Sequence, residues 1–105
     1  MSEVAGLSDL DRLLEHRTRL GICVLLSRND AMTFRLLRDL LDETDGNLGA
    51  NLSKLEEAGY VVARKEYEDR KPVTWYSLGA RGRQQVRAHL AALAALVREA
   101  QQEPR

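Results

Sequence analysis

Asn47, Asn51 and Lys54, with Gly49, Ala50 and Ser53 between them, are the residues of this 105-residue chain whose types and spacing could do chemistry. An Asn amide offers a donor and an acceptor together, matching an adenine edge in the DNA major groove, and a lysine suits a guanine edge or a phosphate. The same segment, Asp45 to Val61, places Leu48, Leu52 and Leu55 at i, i+4 and i+7, one apolar stripe on a helix. The spacing predicts a helix with its leucines inward and Asn47, Gly49, Ala50, Asn51, Ser53 and Lys54 outward. Gly49 and Ala50 are small enough to let such a helix approach a groove closely. Taken alone, the segment equally describes an ordinary solvated helix face.

A second basic group, Arg64, Lys65, Arg70 and Lys71, falls in a stretch rich in Val, Tyr, Trp and Thr. Charges on exposed strands also discourage edge-to-edge pairing, and the two roles are compatible. Glu66, Glu68 and Asp69 dilute the positive field, which leaves Arg70 and Lys71 as the residues to meet phosphates or a minor groove, with Arg64 beside them. Arg17, Arg19 and Arg35 are candidates for added DNA-backbone contacts, with a solvated role expected for each. Other chemistry finds little support. Cys23 lies among Ile22, Val24 and Leu25, the setting of a buried small hydrophobe. His16 and His89 are far apart with no carboxylate at ligand spacing, so no metal site is expected, and His89 is expected on a helix surface near a dimer seam. No nucleophile stands with a base and no glycine loop could cradle a phosphate. An enzyme is therefore not expected, nor a cofactor.

Composition sets the frame for these residues. Apolar residues make up 44% and charged residues 30%, which fits a globular chain with room for one domain, 1–105. The formal net charge is zero, which argues against a general nucleic-acid glue but not against local charge placement. No apolar leader or membrane-length run is present, so a cytoplasmic protein is the default, nucleoid-associated if it binds DNA.

The elements that must position the site follow from the apolar rhythm. Leu7, Leu10, Leu13 and Leu14 suggest a first helix capped by Ser8 or Asp9, and Leu20 to Leu26 a second, so the N-terminal helices span 7–28. Asn29-Asp30 marks a turn. Thr33 can cap the helix from Phe34 to Leu41. Thr44 or Asp45 can cap the next, and Gly59 ends it, placing a helix-turn-helix at 33–58. Tyr60 to Tyr67 and Val73 to Leu78 read as a hairpin over 60–78 whose loop, Glu68 to Pro72, exceeds two residues, with Pro72 at its margin. From Ala80 to Gln101 a last helix carries Val86, Leu90, Leu93 and Val97 in an a/d seam. Gln101 to Arg105 are expected to fray.

The order helix, helix, helix, hairpin, helix is that of a winged helix-turn-helix: mainly α with a small β-hairpin (α+β), plus an extra C-terminal dimerisation helix. Phe34 to Leu41, then Asp45-Gly46-Asn47-Leu48, then Leu52-Ser53-Lys54-Leu55-Glu56-Glu57-Ala58-Gly59-Tyr60-Val61, resemble the core of MarR-like and ArsR-like regulators, most closely the small stand-alone winged-helix subgroup. Arg70 to Leu78 and Gly82-Arg83 resemble that subgroup's wing and its exit into the last helix. The resemblance covers roughly Leu10 to Leu96. Two positions depart from it: Asn51 stands where His is expected and Gly79 where Thr is usual, the first touching base preference and the second helix capping. The cysteine-rich metal motif of ArsR-like proteins is absent. The resemblance implies a homodimeric regulator, more a repressor than an activator, on a pseudo-palindromic double-stranded DNA operator. Leu7, Leu10, Leu14, Val86, Leu90, Leu93 and Val97 would form its interface, where a small-molecule effector would have to bind. The competing expectation is a winged helix that docks proteins without binding specific DNA, which the zero net charge keeps open.

Overall fold

A computed structural model describes residues 4–104 of the chain. Four helices, α1 (Arg17–Arg28), α2 (Phe34–Leu41), α3 (Asp45–Glu57) and α4 (Ala80–Ala100), combine with three strands, β1 (Met32–Thr33), β2 (Val61–Glu68) and β3 (Lys71–Leu78). The sheet is antiparallel in the order β1-β3-β2. This is the α+β winged-helix arrangement expected from the element order.

Local chemistry explains the boundaries. The His16 Nδ1 accepts the Thr18 N–H at the start of α1, so the polar break before Leu20 is a helix cap. The Thr33 hydroxyl accepts from the Leu36 N–H and the Thr44 hydroxyl from the Asn47 N–H, so α2 and α3 each begin at the expected threonine. Asp42 closes α2 in the left-handed region (φ 53), where its N–H donates back to Arg38 and Asp39 carbonyls. Gly59 (φ 78) takes the same role after α3, and the Tyr60 N–H returns to the Leu55 carbonyl. α4 starts at Gly79 with no side-chain cap, as a glycine there dictates.

The N-terminal segment corrects the expected first helix. Leu7–Asp9 and Arg12–Leu14 form two separate 3₁₀ turns. Asp11 stays extended between them because its backbone N–H donates to His89 Nδ1 (2.9 Å) while its carboxylate caps Leu13. The hairpin loop is also shorter than expected. Asp69 (φ 50) and Arg70 (φ 66) form a two-residue turn with both residues left-handed, the geometry that matches strand twist. Pro72 consequently lies inside β3 opposite Tyr67. There it follows the hydrogen-bonded pair Glu68–Lys71, and β1 reaches only Trp75 and Tyr76 on the other edge, so its missing N–H costs no ladder bond. β1, which pairs Met32 with Tyr76 and Thr33 with Trp75, has no counterpart in the sequence reading because two residues carry no periodicity.

The core gathers Leu14, Ile22, Leu26, Leu37, Leu48, Leu52, Leu55, Tyr76, Leu78 and Val86 where the three N-terminal helices meet the sheet base and α4. Cys23 is buried there as a free thiol, as its apolar neighbours predicted, and desolvation pushes its pKa up to about 12. Gly82 lets α4 cross the start of β2: a Cβ there would stand 2.0 Å from the Tyr60 carbonyl oxygen. The radius of gyration is 16.0 Å, above the roughly 13 Å of a compact chain near 100 residues, and the longest dimension is 64 Å. Elements therefore project beyond the core. Gln101 and Gln102 leave α4 in a turn and bend, while residues 1–3 and Arg105, at the ends of the expected domain and of its fraying tail, lie outside the described residues.

Candidate nucleic-acid interface

Leu48, Leu52 and Leu55 of α3 are buried, and Asn47, Ala50, Ser53 and Lys54 are exposed, as the stripe predicted. Gly46 and Gly49 have nothing within 4 Å of where a Cβ would stand, so the helix surface beside them is open. Asn51 is the exception. It is 4% exposed and turned inward, contrary to the outward position expected of it. Residues on an α-helix step by about 100°, so Asn51, three beyond Leu48, lies only about 60° from it, at the border of the leucine stripe. The positions 48, 51, 52 and 55 follow the i, i+3, i+4, i+7 rule, and this signal could have placed Asn51 inside from the sequence.

A chain of hydrogen bonds explains how a buried amide is tolerated. Asn51 Oδ1 accepts from Arg19 Nη1 at 2.7 Å, and Arg19 Nε donates to the Leu13 carbonyl at 2.7 Å. The expected solvation of Arg19 is thus corrected, because its guanidinium satisfies an inner amide. Asn51 Nδ2 donates to the Asn47 carbonyl (2.9 Å) and to Asn47 Oδ1 (3.2 Å). Asn47 Nδ2 donates in turn to Glu43 Oε2 and, at 3.4 Å, to the Thr18 hydroxyl. The Thr18 hydroxyl donates to Glu43 Oε1 at 2.6 Å. The Thr18 and Asn47 bonds hold the Glu43 carboxyl below its ordinary pKa. Both ends of the Asn47 amide are therefore engaged within the protein although the residue is exposed. Sequence spacing offers no signal for this chain, since Arg19 and Asn51 are 32 positions apart.

The wing contrasts with this. Residues 62–72 are all exposed, among them Arg64, Lys65, Arg70 and Lys71, with Tyr67 77% exposed. Arg64 Nε pairs with Glu66 at 2.8 Å. Between the outer part of the wing and the start of α2 lies a groove lined by Thr33, Arg35, Glu68 and Lys71, which brings Arg35 and Lys71 to one concavity.

The expected dimer seam divides as well. Leu7, Leu90 and Val97 are exposed and Leu10 and Leu93 half-buried, but Leu14 and Val86 are enclosed within their own chain. A residue already buried has no surface to offer a partner, so these two leave the seam. His89, expected on the surface, is 2% exposed because its Nδ1 accepts the Asp11 N–H. A groove of about 730 Å³ runs along this side, lined by Leu10, Leu20, Val24, Leu40 and Leu93 with His16, Thr18, Glu43 and His89 at its polar part. Among the described residues no group of three or more His, Cys, Asp or Glu is placed to hold a metal, and no helix is long and apolar enough to cross a membrane.

Comparison with known proteins agrees with this geometry. A family model described as a winged helix DNA-binding domain matches residues 18–97. A transcriptional regulator homologue from Pyrococcus horikoshii OT3 superimposes with a TM-score of 0.81 at 28% identity, over 88% of this chain and 91% of its own. The transcriptional regulator BldR from Sulfolobus solfataricus follows with 0.68 at 24% identity, over 90% of this chain and 63% of its own. A mutant form of Lactococcus lactis ZitR in complex with DNA shares the fold with 0.61 at 20% identity, over 80% of this chain and 56% of its own. No curated protein is significantly similar in sequence. With residues 18–97 of its 105 inside the matched model, the chain belongs to the winged helix DNA-binding domain family.

Proposed function

We propose that this protein is a homodimeric, sequence-specific regulator of transcription, acting as a repressor on a pseudo-palindromic operator in the nucleoid. The observation that carries this reading is the outer face of α3, made of Gly46, Gly49, Ala50, Ser53 and Lys54, beside a wing whose Arg64, Arg70 and Lys71 are all exposed. A narrow helix face suits a major groove, where Ser53 and Lys54 meet base edges, while the wing residues meet phosphates. The transcriptional regulators among its structural neighbours, and a further neighbour bound to DNA, support a DNA-binding role over an enzymatic one. Leu7, Leu10, Leu90, Leu93 and Val97 form the two-fold seam, and a small-molecule effector would use the groove beside it.

Enrichment of a duplex from a randomised library, followed by a salt titration, tests the reading. Binding should weaken steeply with salt as counterions are released, and the enriched duplex should be preferred over random DNA. Leu93→Asp should yield monomer in sedimentation, whereas Gln85→Asp should leave the dimer intact. The second reading, a protein-docking module, is favoured by the zero net charge and by the inward turn of both α3 amides. It expects no enrichment and no retention on heparin.

A further inference from the structure

We infer that Arg19 is a positioning residue for DNA recognition, fixing the rotation of α3 through Asn51 without touching nucleic acid itself. The inference rests on the DNA-binding reading above. Packing of Leu48, Leu52 and Leu55 holds α3 against the core, but apolar contact is non-directional and leaves rotation about the helix axis weakly defined. A turn of about 20° would move an atom on the outer surface, about 5 Å from the axis, by roughly 2 Å. That displacement exceeds what a base-edge hydrogen bond tolerates.

Two directional attachments, at Asn47 and Asn51, one helical turn apart, supply the missing constraint. Arg19 anchors the second of them. Its two acceptors, the Leu13 carbonyl and the Asn51 amide oxygen, are both neutral, and it makes no ion pair among the described residues. The residue is therefore used for the fixed geometry of its fork, which a lysine cannot reproduce. The anchor is itself held. The Leu13 N–H donates to Asp11 Oδ1, the Asp11 N–H donates to His89 of α4, and the Tyr60 hydroxyl donates to Asp11 Oδ2 at 2.6 Å. Burial and the Asp11 bond push the Tyr60 hydroxyl up to about 12, so this tie persists across ordinary pH. Hydrogen bonds thus run without a break from α4 to the recognition face.

Arg19→Lys separates the alternatives, measured on the duplex that the wild-type chain enriches and on a random duplex of equal length. Positioning predicts about tenfold weaker binding to the enriched duplex, the size of one lost base contact. Random-duplex affinity should stay within about twofold with an unchanged salt slope. Asn51→Leu is the second variant: similar in shape, it removes the acceptor for Arg19 together with both donations to Asn47 and carries the same expectation. Equal losses on both duplexes with a flatter salt slope would make Arg19 a phosphate contact and overturn the inference. Wild-type binding by both variants, with only a lowered melting temperature, would reduce the fork to a structural tie. Should the wild-type chain enrich no duplex, the DNA-binding reading itself fails and the positioning role with it.

Discussion

Along α3 the amides of Asn47 and Asn51 turn back toward α1 and the α2–α3 connection, whereas along β2 every residue from Val62 to Glu68 faces outward. Both segments are polar on paper. The helix can fold its polar groups inward because it lies on the core, and a polar group that enters a core must find partners there. Residues 62–72 of the hairpin have no core behind them, so their side chains face solvent or a ligand. The same residue types therefore report different things: on α3 an amide measures how the helix is held, and on the wing a cation measures what the protein can touch.

The strongest test of this division lies at the joint between the two regions. Gly82→Ala drives a Cβ into the Tyr60 carbonyl, where α3 has just ended and β2 begins. Relief requires a shift of α4 or of the strand, at a cost of about 3 kcal/mol, read as a lowered urea midpoint. A midpoint unchanged by this substitution would mean that wing and helix are not braced against each other here. A smaller effect separates the regions directly. Asn51→Ala leaves Arg19 and Asn47 short of partners and should cost about 2 kcal/mol. Arg70→Ala, at an exposed turn, should alter stability by less than about 0.5 kcal/mol while weakening enriched and random duplexes alike and lowering the salt slope. Equal stability costs for the two would erase the distinction drawn above.

The smallest expected effect concerns pH. Glu43 has its folded pKa lowered by the Thr18 and Asn47 hydrogen bonds, so its contribution is fully present above the unfolded value and is lost as pH falls through the folded one. Resonances of Asn47 and Thr18 should follow that acidic titration while those of Arg70 and Lys71 at the wing tip stay still. Movement of the wing signals in the same window would show that the two regions are coupled through more than the base of the sheet.

The elements were largely legible in the chain because each carried its own local chemistry: threonines before α2 and α3, Gly59 after α3, alternating β-formers in the hairpin. Misreadings arose where long-range bonds decided. The N-terminal leucines form 3₁₀ turns because His89, 78 positions away, takes the Asp11 N–H. Asn51 was half legible, since its spacing from Leu48 pointed inward while its polarity pointed outward. Polarity misled because the Arg19 fork that satisfies it lies on another helix. The wing cations and small α3 residues were read from residue type and spacing, and Ser53, Lys54, Arg70 and Lys71 are exposed.

Cys23 gives this protein a built-in clock. Its thiol sits at the centre of the core with its pKa pushed from 9.0 up to about 12, so near pH 9 the folded chain presents almost no thiolate to a reagent. The opened chain presents it freely. Alkylation at that pH then proceeds only as often as the molecule opens through its core, and its rate divided by that of a denatured sample reads the opening equilibrium without any denaturant. The same shift sets an alkaline limit: the Cys23 contribution to stability is fully present below about pH 9 and is lost as pH climbs toward 12, because only the opened form releases the proton across that range.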